Sequence, residues 1–180
     1  MQEKMQAIDL MTMLDEREKR AEKQRLLCAK THSPLLFYSM NIPGPYKNSA
    51  LIEKVFSLEL HQILMLLRID INAIEYDATL PTGPVAYIPL DCAKSARAYK
   101  KELLQFEEKS PIGAWLDLDV KEKDGTAVGR DDLHFPPKKC FICNKPAKGC
   151  ARSRKHSVAE LTRATTQALE NFLHKFEYPV

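Results

Sequence analysis

The sequence predicts an α+β fold, in which a mixed or antiparallel sheet packs against helices in a single domain over residues 1–180. Helical patterns stand at both ends of the chain and enclose short apolar runs that are typical of strands. The length of 180 residues, with 44% hydrophobic and 28% charged residues, suits one globular domain and excludes a disordered or collagen-like chain. Turn signals at Pro43–Pro45 and Asp124–Gly125 separate the short elements.

The first element is a charged helix, expected from Ile8 to Ala29 and contained in residues 1–30. Ala7, Met11 and Leu14 form an apolar stripe at helical spacing, as on a helix that packs against a core. The middle of this helix is so polar that it must be solvated or must contact a polar partner.

The central elements alternate between strands and helices. Apolar runs predict strands at Leu35 to Ile42, Ile69 to Ala78 and Val85 to Leu90. Helical spacing predicts helices at Ala50 to Arg68, capped by Asn48 or Ser49, and at Cys92 to Lys109, capped by Asp91.

The last elements are a hairpin and a helix. Strict alternation predicts a strand from Trp115 to Val120, and the return strand is expected at Thr126 to Arg130. Ser157 and Glu160 have the spacing of a capping box, which predicts a final helix from Ser157 to about Phe176.

A pair of carboxylates is the first candidate for chemistry. A period of two places Trp115, Asp117 and Asp119 on one face of their strand, with the aliphatic residues between them on the other. Two carboxylates so spaced suit Mg²⁺, and such sites serve phosphoryl or nucleotidyl transfer. Asp132 is a candidate third carboxylate, although Asp131 lies beside it. From these residues alone, a solvated polar strand face is the simpler interpretation.

A group of cysteines and one histidine is the second candidate. Cys140-x₂-Cys143-x₆-Cys150-x₅-His156 offers four ligands for a closed, structural zinc site. The alternative is that these cysteines pack as small hydrophobic residues. The pattern leaves both interpretations open.

The ligand group lies in a Cys/His-rich basic loop, expected at residues 136–156. The net charge of +3 conceals this concentration, because the stretch from Leu133 to His156 contains seven basic residues and no acidic one. Such a loop fits phosphate binding, and the alternative is a solvated loop that aids solubility. The net charge is too small to imply nucleic-acid binding by itself.

The cysteine count and the hydropathy pattern indicate the compartment. Five cysteines form an odd set without the spacing of a disulfide framework, which favours a reducing cytoplasm. No secretory signal follows Met1–Met5, and no run approaches the roughly 18 apolar residues of a membrane span. We therefore expect a cytoplasmic protein that binds neither membrane nor nucleic acid.

Several motifs together resemble a known family. They are Asp15-Glu-Arg17, Pro43-Gly-Pro-Tyr-Lys47, Ser110-Pro-Ile-Gly-Ala-Trp-Leu-Asp-Leu-Asp-Val120, Gly129-Arg-Asp-Asp132, Pro136-Pro-Lys-Lys-Cys140 and Cys150-Ala-Arg-Ser-Arg-Lys-His156. From about Ile8 to Leu173 the chain resembles the apo-citrate lyase phosphoribosyl-dephospho-CoA transferases, also called holo-citrate lyase synthases.

The resemblance implies a nucleotidyltransferase-like fold and a single transferase domain. It implies transfer of 2′-(5″-triphosphoribosyl)-3′-dephospho-CoA to a serine of the acyl carrier (gamma) subunit of citrate lyase. A phosphodiester forms and diphosphate leaves. The resemblance also shifts the interpretation of Asp117 and Asp119 from a solvated strand face to Mg²⁺ ligands, with Asp132 as a third ligand or as a group that helps to deprotonate the serine.

The same hypothesis assigns basic residues to the phosphates or to the carrier. Arg17 and the neighbouring Arg20 could face either one, and the loop could dock an acidic carrier by charge. The expected phosphate contacts are Arg17, Lys47, Arg130, Arg152, Arg154 and Lys155. Two other functions stay open: a zinc-stabilised basic module that binds nucleic acid, and a non-catalytic assembly factor for citrate lyase.

Overall fold

Five strands form one sheet in which every pairing is antiparallel, so the mixed arrangement is not adopted. The structure is a computed structural model that describes residues 6–177. The strands are β1 (Leu35–Met40), β2 (Glu75–Asp77), β3 (Val85–Pro89), β4 (Leu116–Lys121) and β5 (Ala127–Val128). Within the sheet they lie in the order β2-β3-β1-β4-β5. The expected domain ends at residues 1 and 180 lie outside the described residues.

The helices confirm the α+β class. They are α1 (Leu10–Thr31), α2 (Ala50–Leu67), α3 (Ala96–Lys109), α4 (Ala147–Arg152) and α5 (Val158–Glu177). The short helix α4 was not expected and lies within the Cys/His-rich basic loop. In the part of the chain that the structure describes, no helix is both long and apolar enough to cross a membrane.

Side-chain caps decide where the helices begin. Ser49 caps α2 by accepting a hydrogen bond from the backbone of Ile52, as predicted. The capping box of α5 also forms, because Ser157 and Glu160 each accept from the other's backbone N–H. Helix α3 begins later than expected, with Ser95 as its N-cap.

Helices cover both faces of the sheet, and this explains why every residue of β1 is buried. On one face, residues such as Tyr38 and Leu116 pack with α2, α3 and α5 in the larger core. On the other face, Phe37 and Tyr87 pack with Cys28 of α1 in a smaller one. The smaller core leaves part of this second face available for polar groups.

Two predicted strands are shorter than expected because side chains divert the backbone from the sheet. In the first, the Asp70 carboxylate accepts from the backbone of Asn72, and a 3₁₀ turn at Ile71–Ala73 replaces half of the strand. In the second, the Asp132 carboxylate accepts from the backbone of Gly129 at 2.7 Å and ends β5 after two residues.

The predicted apolar stripe of α1 is wrong. Met11 is 66% exposed and Leu14 is 40% exposed, whereas Arg20, Gln24 and Cys28 are the buried residues of the helix. The physical reason is the polar surface below α1, where the Arg20 guanidinium donates to the carbonyls of Thr82 and Gly83. The polar middle of the helix is expected to be solvated or to contact a polar partner, and both occur: Arg20 meets polar groups, whereas Arg17, Glu18 and Lys19 are exposed.

Trp115 does not share the aspartate face, contrary to the prediction from alternation. Trp115 is the last residue of a 3₁₀ turn at Gly113–Trp115 and precedes β4. The alternation of side chains along the strand therefore does not include it. Its indole is buried and donates to the Thr165 hydroxyl at 2.9 Å. Trp115 therefore joins β4 to α5.

Candidate active site and metal-binding cluster

Asp117 and Asp119 lie on the face of the sheet that α1 covers. In the pairing of β4 with β1, Asp117 stands opposite Ser39 and Asp119 stands opposite Phe37. Asp117 is half-buried and Asp119 is exposed. The two carboxylates therefore share one face, as the alternation predicts, and they do so beside the smaller core.

The surroundings of Asp117 oppose its negative charge. Burial raises the pKa of the Asp117 carboxyl, and the charge of Asp119 raises it further. Lys138 and Lys100 act in the opposite direction and favour ionisation. A cation bound between the two carboxylates would offset the lost hydration of Asp117 and the repulsion between the two negative charges. Carboxylate oxygens are also the ligands that Mg²⁺ prefers.

The two lysines also complete the open edge of β4. Strand β5 pairs with β4 only at Val120 and Lys121, so the start of β4 has no neighbouring strand on that side. The buried Lys100 ammonium donates to the Leu118 carbonyl at 2.6 Å, and the Lys138 ammonium donates to the Leu116 carbonyl. Two fixed positive charges therefore lie next to the aspartates.

Glu107 of α3 holds the neighbouring cations in place. Its buried carboxylate pairs with Lys138 at 3.2 Å and with Arg130 at 3.4 Å. Arg130 also donates to the Pro136 carbonyl at 3.1 Å. The Arg130 guanidinium, expected to bind phosphate, is thus engaged within the chain.

A cavity of about 220 Å³ lies beside Asp117 and under α1, and we call it the carboxylate cavity. It brings together three of the predicted residues, Arg17, Lys47 and Asp117. The Lys47 ammonium donates to the Ile42 carbonyl at 2.7 Å, and burial, with the charge of Arg17, lowers its pKa. Arg20 is a third basic residue in the lining. The excess of positive charge makes this cavity suitable for an anionic ligand.

Other predicted residues do not line the carboxylate cavity. Asp132 caps the turn after β5, and its backbone carbonyl accepts from Arg97. Three basic residues instead stand exposed around the Cys/His group, namely Arg152, Arg154 and Lys155.

Sequence reasoning does not identify several polar residues that the structure places near the carboxylates. Gln24 and Ser39 line the carboxylate cavity, and Lys100 supports β4 from α3. Gln24 stands one helical turn from both Arg20 and Cys28, so spacing alone could have placed the three on one face. The polarity of Arg20 and Gln24 argues against burial, and for this reason the sequence favours the apolar stripe as the packed face.

The predicted metal ligands converge in space. The ligand atoms of Cys140, Cys143, Cys150 and His156 all lie within 4.8 Å of one another. The Cys143 sulfur is 3.4 Å from the Cys150 sulfur and 3.3 Å from the His156 Nε2 atom. Zinc–sulfur bonds of about 2.3 Å in a tetrahedron would place sulfurs roughly 3.7 Å apart. These four residues, here the Cys₃His cluster, can therefore hold a tetrahedral metal ion.

Local backbone bonds build the Cys₃His cluster. The Cys140 N–H donates to the Lys145 carbonyl at 2.7 Å, and the Asn144 N–H donates to the Cys140 carbonyl at 2.9 Å. These bonds close the loop that holds Cys140 and Cys143, and α4 then supplies Cys150.

The electrostatics of the Cys₃His cluster favour one thiolate. The backbone N–H of Lys145 and the side chain of His156 lower the pKa of Cys143 to about 6. The hydrogen bond to Cys143 raises the pKa of Cys150 to about 11. Thiolates are the form in which cysteines bind zinc, so Cys143 is ready to be the first ligand.

The Cys₃His cluster is joined to the start of β4. Phe141, between the first two cysteines, stacks on Trp115 with ring centroids 4.5 Å apart. Lys138, two residues before the first cysteine, binds the Leu116 carbonyl. A metal ion in the Cys₃His cluster would thus stabilise the segment that flanks the aspartates.

Comparisons with known proteins identify the family. The family model for apo-citrate lyase phosphoribosyl-dephospho-CoA transferase matches residues 8–172. A probable transferase of that name from Streptococcus pyogenes serotype M18 is 36% identical over 174 residues, covering 94% of this chain and 90% of the relative. One from Vibrio cholerae serotype O1 is 33% identical over 159 residues, covering 85% and 89%. Protein CitXG of Haemophilus influenzae is 32% identical over 168 residues, which are 91% of this chain and 35% of that protein. The chain therefore belongs to the apo-citrate lyase phosphoribosyl-dephospho-CoA transferase family.

Proposed function

We infer that this protein attaches the prosthetic group of citrate lyase to the acyl carrier subunit of that enzyme. The donor is 2′-(5″-triphosphoribosyl)-3′-dephospho-CoA, and the acceptor is a serine of the apo carrier. Family membership over residues 8–172 supports the reaction. The observation that carries the site assignment is the carboxylate cavity, where Asp117 lies with Arg17 and Lys47.

We propose that Asp117 and Asp119 hold Mg²⁺. Their position on one strand face and the raised pKa of Asp117 both support a cation there. When bound, the ion supplies positive charge to the triphosphate oxygens. Arg17 and Lys47 would bind further phosphate oxygens from the other side of the cavity, since the guanidinium and ammonium groups donate to anionic oxygen.

The residues would orient an in-line displacement. The serine oxygen bonds to the phosphorus nearest the ribose, and the bond from that phosphorus to the departing diphosphate breaks. The serine proton goes to a nearby carboxylate, and Asp132 stays a prediction for this role or for a third metal ligand. Because little covalent chemistry falls to the protein, positioning and electrostatic stabilisation supply most of the catalysis.

We further propose that the Cys₃His cluster holds a structural zinc ion. Four converging ligands and no open position fit a structural rather than a catalytic site. The exposed Arg152, Arg154 and Lys155 would then form a fixed basic surface for an acidic carrier protein.

The transfer reaction can be observed directly on the acceptor. Purified protein, apo carrier subunit, donor and Mg²⁺ should yield a carrier whose intact mass increases by the donor minus diphosphate, at one serine. Phosphate analysis should find one diphosphate for each modified carrier. A carrier of unchanged mass would contradict the enzymatic role and leave the assembly-factor hypothesis.

The metal-binding carboxylates can be tested by charge removal without a change in shape. Asp119→Asn should lower the transfer rate by at least about 100-fold, since the ion loses a charged ligand. Asp124→Asn is the matched control, because Asp124 lies in the exposed hairpin turn and asparagine suits that turn equally well. Similar rates for the two variants would remove the metal role of Asp119.

Zinc binding can be measured on the purified protein. A chelator-free preparation should contain close to one zinc per chain, and Cys140→Ser should lower this content sharply. Cys92→Ser is the control, since Cys92 is exposed and outside the Cys₃His cluster. Substoichiometric metal in the unaltered protein would overturn the zinc assignment.

A further inference from the structure

Two neutral polar side chains line the carboxylate cavity beside the charged ones. They are Gln24, on the buried face of α1, and Ser39, in the central strand β1. Gln24 is 7% exposed and Ser39 is 8% exposed. Within residues 6–177, neither the Gln24 amide nor the Ser39 hydroxyl has a hydrogen-bond partner. Buried polar groups in folded proteins are nearly always hydrogen-bonded, so these two groups are available to a polar ligand in the cavity.

The strand pairing places Ser39 directly beside the candidate metal site. Ser39 stands opposite Asp117, and the Cβ atoms of such a pair lie roughly 4.5–5.5 Å apart. Phe37, two residues earlier on the same face of β1, packs with Cys28 of α1, so the Ser39 side chain also faces α1. Gln24 lies one helical turn before Cys28 on the buried face of the helix. The amide and the hydroxyl therefore reach the same cavity from the helix and from the strand.

The chemistry of this pair differs from that of the basic residues in the cavity. Arg17 and Lys47 supply positive charge and donate hydrogen bonds, which suits phosphate oxygens. The Gln24 amide and the Ser39 hydroxyl carry no charge, and each can both donate and accept. The hydroxyls of a sugar also donate and accept, so they can satisfy both groups without adding charge. Gln24 and Ser39 therefore suit a neutral, hydroxylated part of a ligand.

The size of the cavity limits which part of the donor can lie there. Its volume of about 220 Å³ is below the roughly 300–1,000 Å³ of sites that enclose a drug-sized molecule, and the whole donor is larger still. Since Asp117 lines the cavity, the enclosed part includes the phosphorus that the carrier serine attacks. The group next to that phosphorus in the donor is the ribose, which has two free hydroxyls on adjacent carbons.

We propose that Gln24 and Ser39 bind the ribose hydroxyls of the triphosphoribosyl group and discriminate against a donor that lacks them. This assignment rests on the proposed function, which supplies a donor with ribose beside the attacked phosphorus. A ribose held by both hydroxyls has a fixed orientation, and this positions the phosphorus between the aspartates and the basic residues. A sugar without these hydroxyls would occupy the cavity and leave the amide and the serine hydroxyl unpaired, which lowers its affinity.

Two sugar triphosphates of equal charge test the assignment apart from catalysis. The probes are ribose 5-triphosphate and its 2,3-dideoxy analogue, each titrated by calorimetry in the presence of Mg²⁺. The unaltered protein should bind ribose 5-triphosphate at least about tenfold more tightly than the analogue, as expected for two hydrogen bonds. Ser39→Ala and Gln24→Met should each reduce this preference at least about threefold and leave the affinity for the analogue unchanged.

The matched controls are Ser57→Ala and Gln105→Met. Both residues are exposed on helices and lie outside the carboxylate cavity, so these variants should keep the full preference for ribose 5-triphosphate. Because the side chains of Ser39 and Gln24 make no hydrogen bond within the described residues, their variants lose none of the internal bonds of the fold. Unchanged binding of the dideoxy analogue verifies that the cavity is intact in each variant.

Several outcomes would overturn the ribose assignment. One is an unaltered protein that binds the two sugars equally or binds neither. Another is a preference that survives both Ser39→Ala and Gln24→Met, which would mean that the two side chains bind only ordered water. A third is an equal loss of affinity for both sugars in the variants, which would indicate a structural role.

The carrier assay separates this inference from the proposed function. If the carrier gains mass and the preference does not depend on Gln24 and Ser39, the ribose assignment is wrong and the transferase function stands. If the preference depends on these residues and the carrier mass is unchanged, the ribose site stands and the transferase function fails.

Discussion

The surroundings of Asp117 both favour and oppose the ionised form of its carboxyl group. Burial and the charge of Asp119 raise its pKa, and the ammonium groups of Lys138 and Lys100 lower it. A carboxylate in this condition gains more from a bound cation than an exposed one does, because the cation removes the repulsion and replaces lost hydration. The raised pKa of Asp117 and its causes therefore support the proposed cation site.

Glu59 supports a prediction about pH at the residue scale. Its side chain is buried in α2, one oxygen accepts from the Ser110 hydroxyl at 2.8 Å, and the other has no hydrogen-bond partner among the described residues. Burial raises the pKa of this carboxyl. Since the folded-state pKa lies above the unfolded value, its contribution to stability is fully present below the unfolded pKa and is lost as the pH rises through the folded pKa.

Glu59→Gln should therefore stabilise the fold more at pH 8 than at pH 5. A gain of about 1 kcal/mol would raise the melting temperature by roughly 2–4 °C for a chain of this size. Thermal unfolding at both pH values measures this difference, with Glu108→Gln as the exposed control. An equal effect of Glu59→Gln at the two pH values would contradict the assignment.

The position of a single side chain can be predicted when it depends on neighbouring residues in sequence, and not when it depends on contacts with distant segments. The shared face of Asp117 and Asp119 follows from the period of two and needed no other strand. The role of Lys100 could not be predicted, because it depends on where β5 stops pairing with β4. The same applies to Gln24, whose burial depends on the polar surface under α1.

At the scale of elements, most helices and strands follow from local patterns. The sequence predicts all five strands and four of the helices. Their bounds differ from the prediction where a carboxylate accepts a hydrogen bond from the backbone, as at Asp70 and Asp132. Helix α4 is not predictable from local pattern because it has only six residues, and the Ala147 N–H at its start donates to the distant Lys138 carbonyl at 2.8 Å. Local sequence patterns predict which helices and strands form, and hydrogen bonds and packing elsewhere in the fold determine where they end.

The open edge of β4 gives a prediction at this scale. Lys138→Met removes the donor to the Leu116 carbonyl and the partner of Glu107, while a side chain of similar length remains. We expect a loss of about 1 kcal/mol, or roughly 2–4 °C in melting temperature. Lys139→Met is the control, since Lys139 is exposed. Equal melting temperatures for the two variants would show that Lys138 contributes nothing to the strand.

At the scale of the whole molecule, the sheet separates the larger core from the candidate active site. The face packed by α2, α3 and α5 holds the larger core, and the face under α1 holds the carboxylate cavity. The Cys₃His cluster contacts the first face through Phe141 and Trp115. A change in that cluster therefore reaches the core and the aspartate strand together.

The only tryptophan of the chain reports on this connection. Because Phe141 stacks on Trp115, removal of the proposed zinc ion from the Cys₃His cluster should loosen the contact and shift the indole emission to longer wavelength. Fluorescence during chelation by EDTA, followed by zinc addition, measures the change and its reversal. Phe141→Leu should reduce the size of this emission shift. An emission spectrum that is unchanged by metal removal would contradict the connection between the Cys₃His cluster and Trp115.

The lysines that complete the edge of β4 also limit how an acceptor can approach. A partner polypeptide often binds by adding a strand to a free sheet edge, where its backbone pairs with unused carbonyls. Here the carbonyls of Leu116 and Leu118 are already occupied by ammonium groups, and the opposite edge, β2, has only three residues. Under the proposed function, we therefore expect the carrier to present its serine to the aspartates from a folded surface that is recognised by shape and charge and not by backbone pairing.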